Sequence, residues 1–101
     1  MKTELHANIC AELTAMHERK NHDYGDSFGE LFAECGMVYA YGHLKEKLNR
    51  LKSLALDGKK QAVDESIDDT LMDLANYAIM TLVERRIETD DVPLISMEGY
   101  K

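Results

Sequence analysis

One stretch of the sequence, residues 65–78, constrains the fold more than any other because it places acidic side chains at helical spacing. At roughly 100° per residue, one strip about 80° wide carries four polar residues: Glu65, Asp69, Asp73 and Asn76. Apolar side chains repeat on the roughly opposite face, namely Ile67, Leu71, Leu74, Ala78 and Leu82. The stretch therefore predicts the first half of a helix that runs to about Arg85.

The surroundings of this polar strip have two interpretations. An ordinary amphipathic helix would turn its acids to water. Further along, however, Met80 and Val83 lie on the same strip, and a helix that is apolar all round is normally buried all round. We therefore expect the strip to face a partly enclosed interior.

Clustered acids in such an interior need a compensating charge. Like charges at i,i+4 oppose folding by about 0.2–0.5 kcal/mol per pair, and a divalent cation with oxygen ligands would remove that repulsion. The helix dipole is the alternative, because acids in a first turn are stabilising. The dipole accounts for Glu65 but not for Asp73, which lies two turns further in.

The rest of the chain is also predicted to be helical. Residues 3–19 have apolar positions at helical spacing, and the turn-forming residues 21–26 predict that this helix ends near Lys20. Ser27 then begins a second helix, with Glu30 as the partner in a capping box, which favours a structural role for Glu30.

The second helix is predicted to run from Phe28 to about Leu56, with Gly36 and Gly42 inside it. These glycines permit either a bend or the close approach of another helix. One strip of this helix mixes charges, and its members are His43, Glu46, Lys47 and Arg50. A charge network at the edge of a bundle is one explanation of this strip.

Two long helices joined by a short link are expected to pack antiparallel. The mixed strip around Lys47 would then lie opposite the acid strip around Asp73. The predicted fold is all-α, a three-helix chain with a long antiparallel helical hairpin that assembles into an oligomeric helical bundle. We expect one domain over residues 1–85 and a C-terminal tail over 86–101.

Composition excludes several classes of function. The net charge of −7 argues against a binder of polymeric nucleic acid, which normally shows a basic patch. No run of residues is long and apolar enough for a membrane span, and no signal peptide is expected at the start of the chain. Cys10 and Cys35 lack metal-type spacing, so we expect reduced core cysteines in a cytoplasmic protein.

The two facing strips together predict a site for Mg²⁺ and a polyphosphate. The candidate metal ligands are Glu46, Glu65, Asp69 and Asp73. Carboxylates beside cations suit this chemistry, because the metal bridges phosphate oxygens while the cations, here Lys47 and Arg50, hold the remaining charge. One carboxylate would activate water, and the candidate catalytic residues are Glu65, Lys47 and Arg50. The same residues would also serve as a plain salt-bridge network.

Three blocks of the sequence resemble the first nucleotide-modification-associated domain family. They are Lys20 to Phe28, Lys47 to Leu51 and Glu65 to Ala78, and the resemblance spans about residues 20–84. The members of that family are small helical proteins frequent in phages and mobile elements. The resemblance implies that the segment around Tyr24 is functional, with Tyr24 stacking on a base, Asn21 and Asp23 bonding its edge and Lys20 meeting a phosphate. Simple turn chemistry is the alternative for this segment.

More distantly, the hairpin is similar to MazG-like all-α nucleoside triphosphate pyrophosphohydrolases. Those enzymes hold Mg²⁺ with an E-x-x-E motif on one helix and E-x-x-D on the next. Here Ser66 stands three residues before Asp69, and His43 stands three residues before Glu46, so both motifs depart from the pattern. His43 and Asn76 complete the candidate substrate-binding set.

The resulting hypothesis is a Mg²⁺-dependent nucleotide pyrophosphohydrolase, or a related protein that processes nucleotides or deoxynucleotides. A non-catalytic module that binds a nucleotide or a partner protein is the alternative, and a purely structural helical oligomer is a third. A homo-oligomer is expected because one hairpin and a short first helix cannot cover the apolar surface of the third helix.

Overall fold

Four helices form the part of the chain that the computed structural model describes, residues 1–57 and 63–89, with side chains described for 1–56 and 66–89. The helices are α1 (Lys2–Tyr24), α2 (Ser27–Cys35), α3 (Met37–Asp57) and α4 (Val63–Glu88). No strand occurs within these ranges, so the all-α prediction is confirmed. The number of helices differs from the predicted three, because the second predicted helix is divided in two.

The first helix is longer than predicted. It continues through residues 21–24 and ends at Gly25, whose φ of 74° is left-handed and whose N–H donates to the Asn21 carbonyl at 2.8 Å. A glycine adopts this conformation without the steric cost that other residues bear, so the helix ends there and not at the polar residues before it. Lys20, Asn21 and Tyr24 consequently lie on the last turns of a helix and not on a loop.

The cap of the second helix is Asp26, not Ser27. The Asp26 carboxylate accepts a hydrogen bond from the Gly29 N–H at 3.2 Å. The predicted capping box of Ser27 and Glu30 is therefore wrong, because the position opposite the Asp26 cap is Gly29, which has no side chain to complete a box, and Glu30 is exposed. An aspartate just outside the first turn also complements the positive end of the helix, which makes it a strong cap.

Gly36 separates α2 from α3. Its φ is 66°, and its N–H donates to the Phe32 carbonyl at 2.7 Å, which closes the last turn of α2. A bend and the close approach of another helix were the two roles predicted for the internal glycines. Gly36 has the role of a bend, because the helix direction changes there. Gly42 stays within α3.

The central cluster of buried residues lies where α2 meets α3 and α4. Phe28, Phe32 and Ala40 are buried, and Tyr39, Tyr77 and Met80 pack against them. Between α3 and α4, His43 stacks on Tyr77 with ring centroids 4.5 Å apart, and Lys47 pairs with Asp73 at 3.2 Å. His43 and Lys47 are four residues apart on α3, and their partners Tyr77 and Asp73 are four residues apart on α4 in the reverse order.

The inward face of α4 is polar and aromatic. Thr70 and Thr81 are buried, and their hydroxyls donate to the carbonyls of Ser66 and Tyr77, both at 2.7 Å. The apolar face predicted from the sequence lies outward instead, with Leu71 45% and Leu82 51% exposed. The partly enclosed surroundings expected for the polar strip hold for Asp73 and Asn76, while Asp69 is exposed.

Three further expectations concern the periphery. Cys10 and Cys35 are both free and exposed, so the prediction that they are core residues is wrong. The fourth helix runs to Glu88, beyond the predicted boundary at 85, and the tail from residue 90 lies outside the described residues. None of the described helices combines the length and the apolar character that crossing a membrane requires.

Gly36 and Gly42 should respond oppositely to substitution by alanine. Gly36→Ala should lower the free energy of unfolding by about 1–2 kcal/mol, because alanine is strained at a φ of 66°. Gly42→Ala is the matched control: an added Cβ meets nothing within 4 Å, so helix propensity should raise stability by about 0.5–1 kcal/mol. Urea unfolding of both variants measures the difference, and a stabilised Gly36→Ala would contradict the helix break.

Candidate functional site

An ion triad joins three parts of the chain that are distant in sequence. Asp73 on α4 has one carboxylate oxygen 3.2 Å from Lys47 Nζ on α3 and the other 3.5 Å from Lys20 Nζ on α1. Lys47 and Asp73 are about three-quarters buried, while Lys20 is half exposed. Two ammonium groups and one carboxylate leave the triad with a net positive charge.

A group of aromatic rings lies beside the triad. The His43 ring is stacked on Tyr77, with an interplanar angle of 16°, and Tyr39 meets His43 edge-on at 4.7 Å. Phe28 of α2 contacts Tyr77 at a centroid distance of 5.8 Å. Burial raises the pKa of the Tyr77 hydroxyl, partly offset by Lys47, so this phenol stays protonated at neutral pH.

His43 contributes a polar atom that the described residues leave unsatisfied. Its Nδ1 is buried and has no hydrogen-bond partner among them. The Glu46 carboxylate lies 4.0 Å away, beyond hydrogen-bonding distance, and the Glu46 side chain is 72% exposed. Buried ring nitrogens normally have a partner, so His43 keeps an unused hydrogen-bonding capacity beside the cavity.

The triad and the aromatic rings surround a cavity of about 300 Å³, called here the lysine cavity. Seven of the predicted site residues line it: Lys20, Asn21, Tyr24, His43, Lys47, Asp73 and Asn76. The sequence stretches 20–24, 43–47 and 73–76 therefore meet at one place.

Two of the predicted base- and phosphate-binding residues, Asp23 and Arg50, lie elsewhere. Asp23 points away from the lysine cavity and pairs with its neighbour His22 at 3.3 Å, with both side chains exposed. Arg50 is exposed and does not line the cavity. Tyr24 is brought to the rim, where it is largely exposed. The predicted roles of Asp23 and Arg50 therefore have no support from their positions.

The described carboxylates do not fit a shared magnesium ion in this arrangement. No group of three or more histidine, cysteine or acidic side chains is placed to hold a metal among the described residues. Asp73 is already paired with two lysines, and Asp69 lies in a separate open groove between α1 and α4 that Asp73 also borders. The side chain of Glu65 lies outside the described residues. Magnesium therefore stays a prediction.

Asn76 lies between the lysine cavity and a second cavity. It is only 8% exposed, it lines both cavities, and its carboxamide makes no hydrogen bond to the described residues. The second cavity, of about 370 Å³, lies between α1 and α4 and is mainly apolar; we call it the apolar cavity. Its apolar lining includes Leu13, Phe28, Ile79, Met80 and Val83.

Two acidic residues, Asp26 and Glu84, also line the apolar cavity. Burial raises the pKa of the Glu84 carboxyl, and the negative charges of Asp26 and Glu88 add to this effect. Among the described residues no lysine or arginine lines this cavity. Its charged side chains are therefore hydrogen-bond acceptors, with His17 as the remaining titratable group.

Among the residues of the lysine cavity that sequence reasoning missed are one histidine and three aromatic residues, namely His17, Phe28, Tyr39 and Tyr77. The charged neighbours of His17 in the sequence favour a surface position for it. A signal for it did exist, because residues 17, 20, 21 and 24 share one face of a helix once α1 is continued to Tyr24. The aromatic residues carry no comparable signal, since core packing explains such residues equally well.

Taken together, the fold and the site define a small all-helical protein with an internal cavity that offers lysines, aromatic rings and an unpaired amide to a ligand. The family model described as Nucleotide modification associated domain 1 matches residues 20–84, which is more than half of the chain and contains most of the lysine-cavity lining. The protein belongs to this family, which confirms the resemblance inferred from the three sequence blocks. No curated protein and no solved structure matches the chain.

Proposed function

We propose that this protein binds a nucleotide or deoxynucleotide in the lysine cavity and acts in nucleotide processing. The observation that carries the proposal is the convergence of Lys20 and Lys47 beside a set of stacked aromatic rings. Phosphate groups bind lysine as a point charge, and nucleobases stack on aromatic faces. The family's association with nucleotide modification agrees with this ligand class.

Asp73 has a positioning role in this proposal. Its two oxygens hold two ammonium groups on one side of the cavity, which would otherwise repel each other. A phosphate that enters the cavity then meets cations already in place, so less side-chain entropy is lost on binding. We infer that α3 and α4 form an antiparallel hairpin, which the contacts of His43 with Tyr77 and of Lys47 with Asp73 support.

The first prediction concerns the lysines. Lys47→Ala should weaken the binding of nucleoside triphosphates by about tenfold or more, since the lost contact is charge-assisted and partly buried. Lys45→Ala is the matched control, because Lys45 is on the same helix but exposed. Isothermal titration calorimetry and thermal shift with a panel of nucleoside and deoxynucleoside triphosphates measure the effect. Equal behaviour of the two variants would rule out the lysine cavity as the binding site.

Hydrolysis is the second candidate function, and it is favoured by acids that lie beside the proposed phosphate site, although as described they do not converge on one metal ion. Asp68, Asp69 and Glu12 border the open groove that also contains Lys20 and Asp73, so carboxylates lie next to the proposed phosphate site. The resemblance to MazG-like pyrophosphohydrolases inferred from the sequence would imply the same activity. A Mg²⁺-dependent enzyme would release pyrophosphate, whereas a non-catalytic binding module would not.

Pyrophosphate release therefore separates the two functions. With Mg²⁺ and the nucleotide panel, wild type should release pyrophosphate, and Asp69→Asn should reduce the rate at least tenfold. Glu34→Gln is the control, because Glu34 is an exposed acid on α2 that lines none of the cavities described above. Binding without release from any nucleotide would leave the non-catalytic module as the function.

We further propose that the protein is a homo-oligomer, with the outward apolar face of α3 and α4 as the contact. This face includes Leu48, Leu71 and Leu82, each close to half exposed. Exposed leucines grouped on one face normally have a partner, and such an apolar face is suited to a two-fold contact with a second copy of the chain. A cytoplasmic location and an association with phages stay predictions.

The oligomer proposal is tested by placing a charge on this face. Leu48→Glu should shift the mass measured by light scattering toward that of one chain, because a glutamate would be desolvated in the contact. Asn49→Glu adds the same charge at an exposed neighbouring position and should not change the mass. A wild-type mass of one chain over the micromolar range would exclude the oligomer.

A further inference from the structure

The lysine cavity and the apolar cavity are neighbours with a common wall. Five residues line both: His17, Asn21, Phe28, Asn76 and Met80. A ligand longer than one cavity can therefore extend from the first into the second past these side chains. The two ends of such a path differ in chemistry.

Lysines are confined to one end of the path. Lys20 and Lys47 line the lysine cavity, and the apolar cavity has Asp26 and Glu84 as its acidic residues and no lysine or arginine among the described side chains. A phosphate group would be repelled by these carboxylates and would find no cation there. A flat, largely apolar group with N–H donors at its edge suits this end.

We propose that the nucleobase occupies the apolar cavity while the phosphates lie at Lys20 and Lys47, and that the site prefers bases with an exocyclic amino group. This inference rests on the proposed function and adds to it the orientation of the nucleotide and the class of base. Adenine, cytosine and guanine carry such an amino group. Thymine and uracil have no exocyclic amino group, and their exocyclic oxygens would face the carboxylates acceptor to acceptor.

Asn76 is the residue that carries this assignment. The residue is only 8% exposed, it lies in the common wall, and no hydrogen bond joins its carboxamide to the described residues. The amide atoms are not fully covered by protein, so they can bond a ligand that enters the cavities. A carboxamide offers one acceptor and two donors, which match the adjacent donor and acceptor on a nucleobase edge.

Glu84 is the second residue, at the other end of the apolar cavity. It lies two helical turns beyond Asn76 on α4, about 12 Å along the helix axis. Its carboxylate can accept a hydrogen bond from an amino group that reaches this end of the cavity. Asp26 adds negative charge but is already engaged as the cap of α2. Glu84 is therefore the residue expected to discriminate between bases.

The test compares full nucleotides with inorganic tripolyphosphate, which has the phosphates and no base. Asn76→Leu should weaken the binding of dATP, dCTP and dGTP at least tenfold and leave that of tripolyphosphate within twofold of wild type. Thr81→Val is the matched control, since Thr81 is buried on α4 but lines neither cavity. Calorimetry gives the affinities, and circular dichroism confirms that each variant is folded.

A second variant keeps the test decisive if Asn76→Leu does not fold. Val83 is half exposed and lines the apolar cavity, so Val83→Phe should fill the cavity without disturbing the core. It should also weaken nucleotides and spare tripolyphosphate. For the base preference, wild type should bind dATP, dCTP and dGTP at least fivefold more tightly than dTTP. Glu84→Gln should reduce that ratio, whereas Glu88→Gln should not.

The outcomes separate this inference from the proposed function. If wild type binds nucleotides but Asn76→Leu and Val83→Phe leave them unaffected, or weaken tripolyphosphate equally, the orientation is overturned and nucleotide binding stands. Equal affinity of wild type for dTTP and the other three overturns the base preference. If wild type binds neither nucleotides nor tripolyphosphate, the proposed function and this inference both fail.

Discussion

The structure depends on a row of polar and aromatic side chains between α3 and α4, called here the seam, which includes His43, Lys47, Asp73 and Tyr77. Asp73 would be an unfavourable residue at this partly buried position if it had no partner, because desolvating a carboxylate without a counter-charge costs more than most packing contacts return. Two lysines from separate helices supply that charge. The threonines on the same face satisfy their hydroxyls within α4, and the aromatic rings fill the remaining space. The seam therefore fixes the relative position of α1, α3 and α4.

This seam leaves the chain with a small apolar core. The buried hydrophobic residues in the described part of the chain are Leu13, Phe28, Phe32 and Ala40, while several leucines on α3 and α4 are about half exposed. Hydrophobic burial is the main favourable term in folding. A single copy of this chain buries few apolar side chains, so it gains little hydrophobic free energy when it folds alone. The proposed ligand site and the proposed contact between copies thus lie on opposite sides of the same two helices.

Much of the candidate site was predictable from residue spacing. The facing of Lys47 and Asp73 followed from helical periodicity and a short link, and both residues are joined in the structure. Lys20, Asn21 and Tyr24 were expected near the site from the family resemblance, and the structure brings them to the lysine cavity. Asp23 was not brought there, because at 100° per residue it lies on another face of α1 from Asn21 and Tyr24. Arg50 shares a strip with Lys47 but lies almost one turn further along α3, beyond the lining of the cavity. The helix break at Gly36 could be foreseen only as one of two roles of a glycine.

The sequence by itself determined the all-α class, the helical register of the polar strip and the membership of the chain in its family, because these depend on periodicity and on motifs read along one dimension. Only the tertiary structure decided which face of α4 turns inward, that Asp73 pairs with two lysines, and that Asn76 is buried between two cavities without a partner. The physical reason is that charge pairing and burial depend on residues far apart in the chain, such as Lys20 and Asp73, whose distance no local pattern specifies.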